Sequence, residues 1–121
     1  MEKLTIEPED VPRMHGALRR AMASISGKWK LEILWLLNQR VHRFGELRRA
    51  IPGVTQHMLT AQLRELERDG LITRTVFAEV PPRVEYEMTP VAQALEPTIF
   101  ALLDWWSEYG SRVQDQSSGS Q

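Results

Sequence analysis

The sequence contains no cysteine. That absence excludes disulfide bonds, thiolate chemistry and cysteine-bound metal ions. Long apolar runs are also missing, because no stretch approaches the roughly 18 residues that a membrane-spanning helix needs. The first ten residues, MEKLTIEPED, are too acidic for a signal peptide. We therefore expect a cytoplasmic protein with no membrane partner.

Residue patterns that carry catalysis are absent as well. The three histidines, His15, His42 and His57, lack the HExxH-type spacing of a hydrolytic metal site. No serine lies in a nucleophile elbow, and no glycine-rich loop is present to hold a phosphate. We expect neither an enzyme nor a bound cofactor or metal.

The composition of the chain is typical of one folded domain. Its 121 residues are 42% hydrophobic and 26% charged, which is ordinary for a globular protein with a single core. The net charge is only −1, but it is unevenly distributed. Between Asn38 and Arg74 seven arginines oppose four acidic residues, a balance of +3, so the remainder carries −4. Positive charge gathered around one segment favours a nucleic-acid partner.

That central segment, residues 43–70, has the pattern of two helices joined by a tight turn. Phe44, Leu47 and Ile51 fall on one side of the first helix. Pro52-Gly53 ends it, because proline cannot continue the hydrogen-bond ladder. The segment therefore predicts a helix-turn-helix.

The second helix of the segment has one apolar face and one polar face. Thr55 is suited to be its N-cap, and Gly70 supplies a left-handed end. Its apolar face is formed by Leu59, Leu63 and Leu66. The opposite face carries Gln56, His57, Thr60, Ala61 and Arg64.

Together with Thr55, these polar-face residues are the candidate DNA-reading residues. Glutamine can bridge an adenine edge and arginine a guanine edge, and the methyl group of Thr60 can meet thymine. The alternative is a face that merely contacts solvent. The candidates for contact with the DNA backbone are Arg43, Arg74 and Arg83.

Helices also precede the central segment. Residues 1–12 are read as an acidic arm, and residues 13–25 as a helix with Met14, Leu18 and Met22 on one face. Residues 28–39 form a strongly apolar helix that we expect to be buried on all sides. Its two tryptophans, Trp29 and Trp35, are expected in the core. Its lysines, Lys28 and Lys30, are read either as phosphate contacts or, at least as well, as side chains in solvent at the helix end.

After Gly70 the apolar period changes to two, which predicts strands at residues 72–77 and 84–88. Thr89 is then an N-cap for a last helix that ends at Gly110. Pro97 predicts a kink near Gln93, because the carbonyl of Gln93 loses its partner. The domain thus spans residues 13–110, with a dimerisation helix at 89–109, and residues 111–121 are expected to be a disordered tail.

Two bulky rings at adjacent positions, Trp105 and Trp106, cannot both point into one monomer core. We interpret them as packing between two copies of the chain. The alternative is a pocket for a small aromatic or hydrophobic effector, formed by Trp29, Trp105 and Trp106 between the dimer helices and the winged core.

The fold class that follows is mainly α with a small β-hairpin, a winged helix-turn-helix. The stretches GKWKLEILWLL, RFGELRRAIPGVTQHMLTAQLRELERDGLITRTVF and EVPPRVEYEMT, with LEP and a terminal tryptophan, closely resemble the HxlR family of bacterial transcription regulators, which is similar to the MarR type. The match covers roughly Leu18 to Gly110.

The resemblance implies a homodimer on a pseudo-palindromic operator, with the helix at Thr55–Asp69 in the major groove and the hairpin as a wing over the backbone. It implies that the terminal helices form the dimer interface, which involves Met14, Leu18, Met22, Leu95, Ile99, Leu102, Trp105 and Trp106.

One family feature does not carry over. Many members carry a sensing cysteine about ten residues before the GKWK motif, where this chain reads Met14-His15-Gly16-Ala17. We therefore expect a repressor whose response, if it has one, is to a small molecule and not to thiol oxidation. The alternative is a winged helix that contacts only proteins.

Overall fold

The computed structural model describes residues 5–119, and their side chains to residue 113. After a 3₁₀ turn at Pro8–Asp10, the elements in chain order are α1 (Val11–Ile25), α2 (Lys30–Gln39), β1 (His42–Arg43), α3 (Phe44–Ala50), α4 (Gln56–Arg68), β2 (Ile72–Phe77), β3 (Arg83–Met88), α5 (Pro90–Gln93) and α6 (Glu96–Gly119). Within this part of the chain no helix is both long and apolar enough to cross a bilayer.

The predicted helix-turn-helix and hairpin are confirmed, and the sheet has one strand more than predicted. Its order is β1-β3-β2, antiparallel throughout. His42 in β1 lies opposite Tyr86 in β3. A strand of two residues is too short to produce an alternating pattern, so sequence periodicity could not reveal it.

The core forms where α4 packs on α2 and α3. The three predicted leucines of α4 are each at most 2% exposed. Ile33 of α2 and Leu47 of α3 are fully buried against them, and Ile72 and Tyr86 close the core from the sheet. Each such leucine or isoleucine stabilises the fold by about 1.5–3 kcal/mol, so α4 is held firmly from behind.

The prediction that α2 is buried on all sides is wrong. Trp35 is 51% exposed and meets Phe100 of α6 in an edge-to-face contact, with ring centroids 6.0 Å apart. Lys30, expected in solvent, is 3% exposed instead. The helix is apolar on both faces because one face meets the core and the other faces α6 across an apolar cavity. A uniformly apolar sequence does not show which of the two faces is buried.

The predicted last helix is two helices. Thr89 is its N-cap, since its Oγ1 accepts from the backbone N–H of Ala92 at 3.3 Å, but α5 ends at Gln93 and α6 starts at Glu96. Pro97 has no N–H to donate to Gln93, so the predicted kink becomes a break.

The predicted end of this helix at Gly110 is wrong, because α6 continues to Gly119. Gly110 is buried and has a helical backbone, and the indole of Trp106 lies over it. Residues 120–121 of the predicted tail lie outside the described residues.

At the other end of the chain, α1 begins at Val11, two residues before its predicted start, and none of its residues is buried. Residues 1–4 of the predicted arm lie outside the described residues.

Candidate nucleic-acid interface

The polar face of α4 is exposed to solvent because the helix start is fixed by an N-cap and the opposite face is buried in the core. Thr55 Oγ1 accepts a hydrogen bond from the N–H of Met58 at 3.1 Å, as predicted for an N-cap. Gly70 has a φ of 79°, the left-handed conformation that ends the helix. Thirteen residues make a rod of about 20 Å, of suitable diameter for the major groove.

The predicted reading residues divide into two groups. Gln56, His57 and Arg64 are exposed, while Thr60 and Ala61 are half-buried. The hydroxyl of Thr60 donates to the carbonyl oxygen of Gln56 at 2.8 Å, so it is engaged within the helix. Among the side chains that the structure describes, those of Gln56, His57 and Arg64 form no hydrogen bond or ion pair with the protein.

A cleft of about 440 Å³ lies between α4 and the sheet. Gln56, Thr60, Arg64 and Glu67 line its helix side, and Arg74 of β2 lines its sheet side. Arg74 is exposed and, within the described part of the chain, has no acidic partner. Helix α4 and strand β2 therefore place Arg64 and Arg74 on two sides of one cleft, and neither guanidinium forms an ion pair among the described residues.

Arg83, the other predicted wing contact, is neutralised by its neighbours. Its guanidinium lies 3.0 Å from Glu85 Oε2 and 3.3 Å from Glu79 Oε1, and 4.0 Å from the centre of the Phe77 ring. The side chain thus lies at the end of the hairpin, next to the loop that joins β2 to β3. Glu85 lies two residues after Arg83 on the same strand, β3, whereas Glu79 belongs to the loop before it. The ion pair with Glu79 depends on how that loop folds back, which the spacing along a strand does not indicate.

The predicted backbone contact Arg43 is exposed at the start of α3. Its backbone N–H donates to Glu46 Oε1 at 2.8 Å, and Arg40 Nη2 lies 3.3 Å from Glu46 Oε2. The hydrogen bond from Arg43 and then the charge of Arg40 hold the pKa of Glu46 below its ordinary value, although partial burial acts in the opposite direction. Glu46, which the sequence did not single out, therefore fixes the chain beside the interface.

Apolar side chains are exposed on the two terminal helices. Met14, Leu18 and Met22 follow one side of α1, and Leu102, Trp105 and Trp106 lie on α6, each between 38% and 57% exposed. The other two predicted interface residues, Leu95 and Ile99, are half-buried and face the cavity between α2 and α6.

That cavity has a volume of about 440 Å³. Trp29, Trp35, Ile99 and Phe100 contribute to its lining. Of the three tryptophans predicted for an effector pocket, Trp29 reaches the cavity, whereas Trp105 and Trp106 lie farther along α6.

Comparison with known proteins gives a consistent result. The model of the HxlR-like helix-turn-helix family matches residues 24–114. The HTH-type transcriptional regulator YdeP of Bacillus subtilis is 49% identical over 89 residues, which cover 74% of this chain and 70% of YdeP. An HTH-type transcriptional regulator of Methanothermobacter thermautotrophicus is 47% identical over 95 residues, covering 78% of this chain and 72% of that protein.

Solved structures share the fold as well. A transcriptional regulator of the MarR family from Enterococcus faecalis V583 superposes with a TM-score of 0.75 at 37% identity, covering 95% of this chain and 99% of that one. The redox regulator HypR in its reduced form has a TM-score of 0.74 at 37% identity, covering 82% and 98%.

Proposed function

The chain belongs to the HxlR-like helix-turn-helix family, whose relatives include HTH-type transcriptional regulators, and from this premise we propose that it is a DNA-binding repressor. Two copies bind a pseudo-palindromic operator, each placing α4 in the major groove and its wing along the backbone. The bound dimer blocks RNA polymerase.

The observation that carries the proposal is the polar face of α4. Gln56 and Arg64, residue types that can form paired hydrogen bonds with base edges, are exposed and make no hydrogen bond or ion pair among the described residues. The helix behind them is fixed by buried leucines. Recognition of base edges requires polar side chains that are free to bond the DNA and are held on a rigid helix.

Pairing of two copies through α1 and α6 is supported by their exposed apolar side chains. Leucine, methionine and tryptophan gain free energy when they leave water. A symmetric pair places two recognition helices about 34 Å apart, one turn of DNA, on two half-sites.

The test is selection of duplexes from random DNA, followed by fluorescence anisotropy at salt concentrations from about 50 to 200 mM. We expect a palindromic sequence to emerge and to bind far more tightly than random DNA, with affinity that falls steeply as salt rises. Selection of no sequence, with equal weak binding to all duplexes, would instead favour a winged helix that contacts only proteins.

A second candidate function is response to a small hydrophobic molecule. The cavity between α2 and α6 is almost wholly apolar, and the Nε1 of Trp29, at its wall, is buried without a hydrogen-bond partner among the described residues. Thermal-shift screening of planar aromatic compounds tests this function: a hit must raise the melting temperature of the wild type and lose that effect in Trp29→Phe.

This chain has no cysteine, so the response proposed here differs in chemistry from thiol oxidation.

A further inference from the structure

A buried lysine joins the first helix to the recognition helix. Lys30 Nζ donates to the carbonyl oxygen of Ala23 at 3.3 Å and to Glu65 Oε1 at 3.2 Å. Ala23 belongs to the last turn of α1 and Glu65 to α4. One ammonium group therefore contacts two helices that lie far apart in sequence.

Both partners suit a buried positive charge. The carbonyl of Ala23 is among the last four of α1, which have no partner inside the helix and form the negative end of the helix dipole. Glu65 supplies a full negative charge. Burying an ammonium group without such partners is strongly unfavourable, so the position of Lys30 depends on both helices remaining in place.

The side chains of Lys30 and Glu65 are restricted by their neighbours. Gln62 Nε2 donates to Glu65 Oε2 at 3.2 Å and orients that carboxylate. A Cβ on Gly27 would lie 2.8 Å from Lys30 Cε and would collide with Gln62 Oε1. The turn between α1 and α2 therefore packs directly on α4 at this point.

Helix α1 depends on this junction for its direction. None of its residues is buried, and at its C-terminal end Ser24 and Ile25 are half-buried. The remainder of α1 projects from the domain with its apolar stripe exposed. Any rotation of α1 must therefore occur about its C-terminal end, where Lys30 bonds the carbonyl of Ala23 and Ile25 packs against the core.

We propose that Lys30 is a positioning residue that fixes the angle between α1 and α4. The inference rests on the proposed dimer, in which α1 contacts the second copy. There, the angle between α1 and α4 sets the distance between the two recognition helices, and hence the half-site spacing that the protein accepts.

The test uses the palindrome that the wild-type protein selects from random DNA, together with duplexes whose half-sites are moved apart or together by one base pair. A duplex with a single half-site is measured in parallel. We compare wild type with Lys30→Met, which keeps the apolar stem, and with Glu65→Gln. The matched control is Lys28→Met, because Lys28 is exposed and lies over the Trp29 ring, 5.0 Å from its centre.

We expect wild type and Lys28→Met to lose about tenfold in affinity when the spacing changes by one base pair. For Lys30→Met and Glu65→Gln we expect the same change of spacing to cost about twofold or less. This reduction of about fivefold in the spacing penalty lies within the range of coupling between contacting residues. Binding to the single half-site should stay within about twofold of wild type for all four proteins.

Two results would overturn the inference: an unchanged spacing preference in Lys30→Met and Glu65→Gln, or an equal loss on every duplex including the single half-site, which is the result of a purely structural role. If Lys30→Met does not fold, Glu65→Gln decides alone. Failure of the wild type to select any palindrome would contradict the proposed function itself, so the two failures are distinguishable.

Discussion

The indole of Trp106 lies directly over Gly110 in α6, so that a Cβ on residue 110 would come within 2.8 Å of Cδ2 and Cε2 of that ring. The sequence suggests that Gly110 ends the helix. In the structure the helix continues, and the missing side chain of Gly110 leaves room for the Trp106 ring. Trp106 is thereby held on the apolar face proposed to meet the second copy.

Gly110→Ala should therefore displace Trp106 and weaken the dimer. Overpacking of this kind costs about 1–3 kcal/mol, so the dissociation constant should rise about tenfold or more. Sedimentation at several protein concentrations measures it, with Ser111→Ala, an exposed neighbour, as the control. Wild-type association together with unchanged tryptophan emission would show that the ring does not depend on this glycine.

The three glycines at the ends of predicted helices differ in whether the helix stops there in the structure. Gly70, with a φ of 79°, directly follows the C-cap of α4 as predicted, and Gly53, with a φ of 85°, lies in the turn after α3, whose C-cap is Ile51. At Gly110 the helix continues, and the indole of Trp106, one turn earlier, occupies the space that a Cβ would need. The sequence alone does not show whether a glycine is needed for a left-handed backbone conformation or for the room that a missing side chain leaves to a neighbour.

Gly27→Ala should destabilise the domain. The added methyl group would collide with Gln62 and Lys30, and we expect the free energy of unfolding to fall by about 1–3 kcal/mol. Urea denaturation measures the change. Gly16→Ala is the matched control, because it lies in the interior of α1 with only Arg20 Nη1 nearby, at 3.4 Å, and should stabilise by up to about 1 kcal/mol. Equal midpoints for the two variants would contradict the close packing at Gly27.

Stability should depend on acid pH through Glu46. The pKa of Glu46 in the folded protein lies below its ordinary value, chiefly because the backbone N–H of Arg43 donates a hydrogen bond to its carboxylate. A lowered pKa means that the stabilisation is present above the unfolded-state value and is lost as pH falls through the folded-state value.

Urea midpoints measured from pH 7 to pH 3 should therefore show wild type above Glu46→Gln near neutrality, with the two converging below about pH 4.5. Glu87→Gln, at an exposed carboxylate on β3, should follow wild type throughout. A gap between wild type and Glu46→Gln that persists at pH 3 would rule out the charged carboxylate as its source.

The two wing arginines should behave differently. Arg74 is exposed without an acidic partner in the described chain, so Arg74→Ala should weaken binding to all sequences alike and reduce the salt slope by about one. Arg83 is paired with Glu79 and Glu85, so Arg83→Ala should mainly loosen the wing, with a smaller change in the slope. Anisotropy titrations on selected and random DNA compare them, and identical slope changes would show that Arg83 leaves its carboxylates to meet phosphate.

The parts of the molecule that the sequence did not predict are those set by contacts between distant segments. The leucine face of α4 and the N-caps Thr55 and Thr89 follow from local patterns, and the structure confirms them. The pairing of Lys30 with Glu65 depends on how α2 meets α4, which no local pattern specifies. The prediction that Trp35 lies in the core is wrong because an apolar helix does not reveal which of its faces meets the core.

The most direct measurement of the central claim compares Arg64→Ala with Arg68→Ala on the selected palindrome and on random DNA. Both remove one exposed arginine from α4, but only Arg64 lines the cleft beside the wing. We predict that Arg64→Ala costs about 1–3 kcal/mol on the palindrome, relaxes preference at one base pair, and matches Arg68→Ala on random DNA. Equal losses for Arg64→Ala on the palindrome and on random DNA would contradict base reading by this helix.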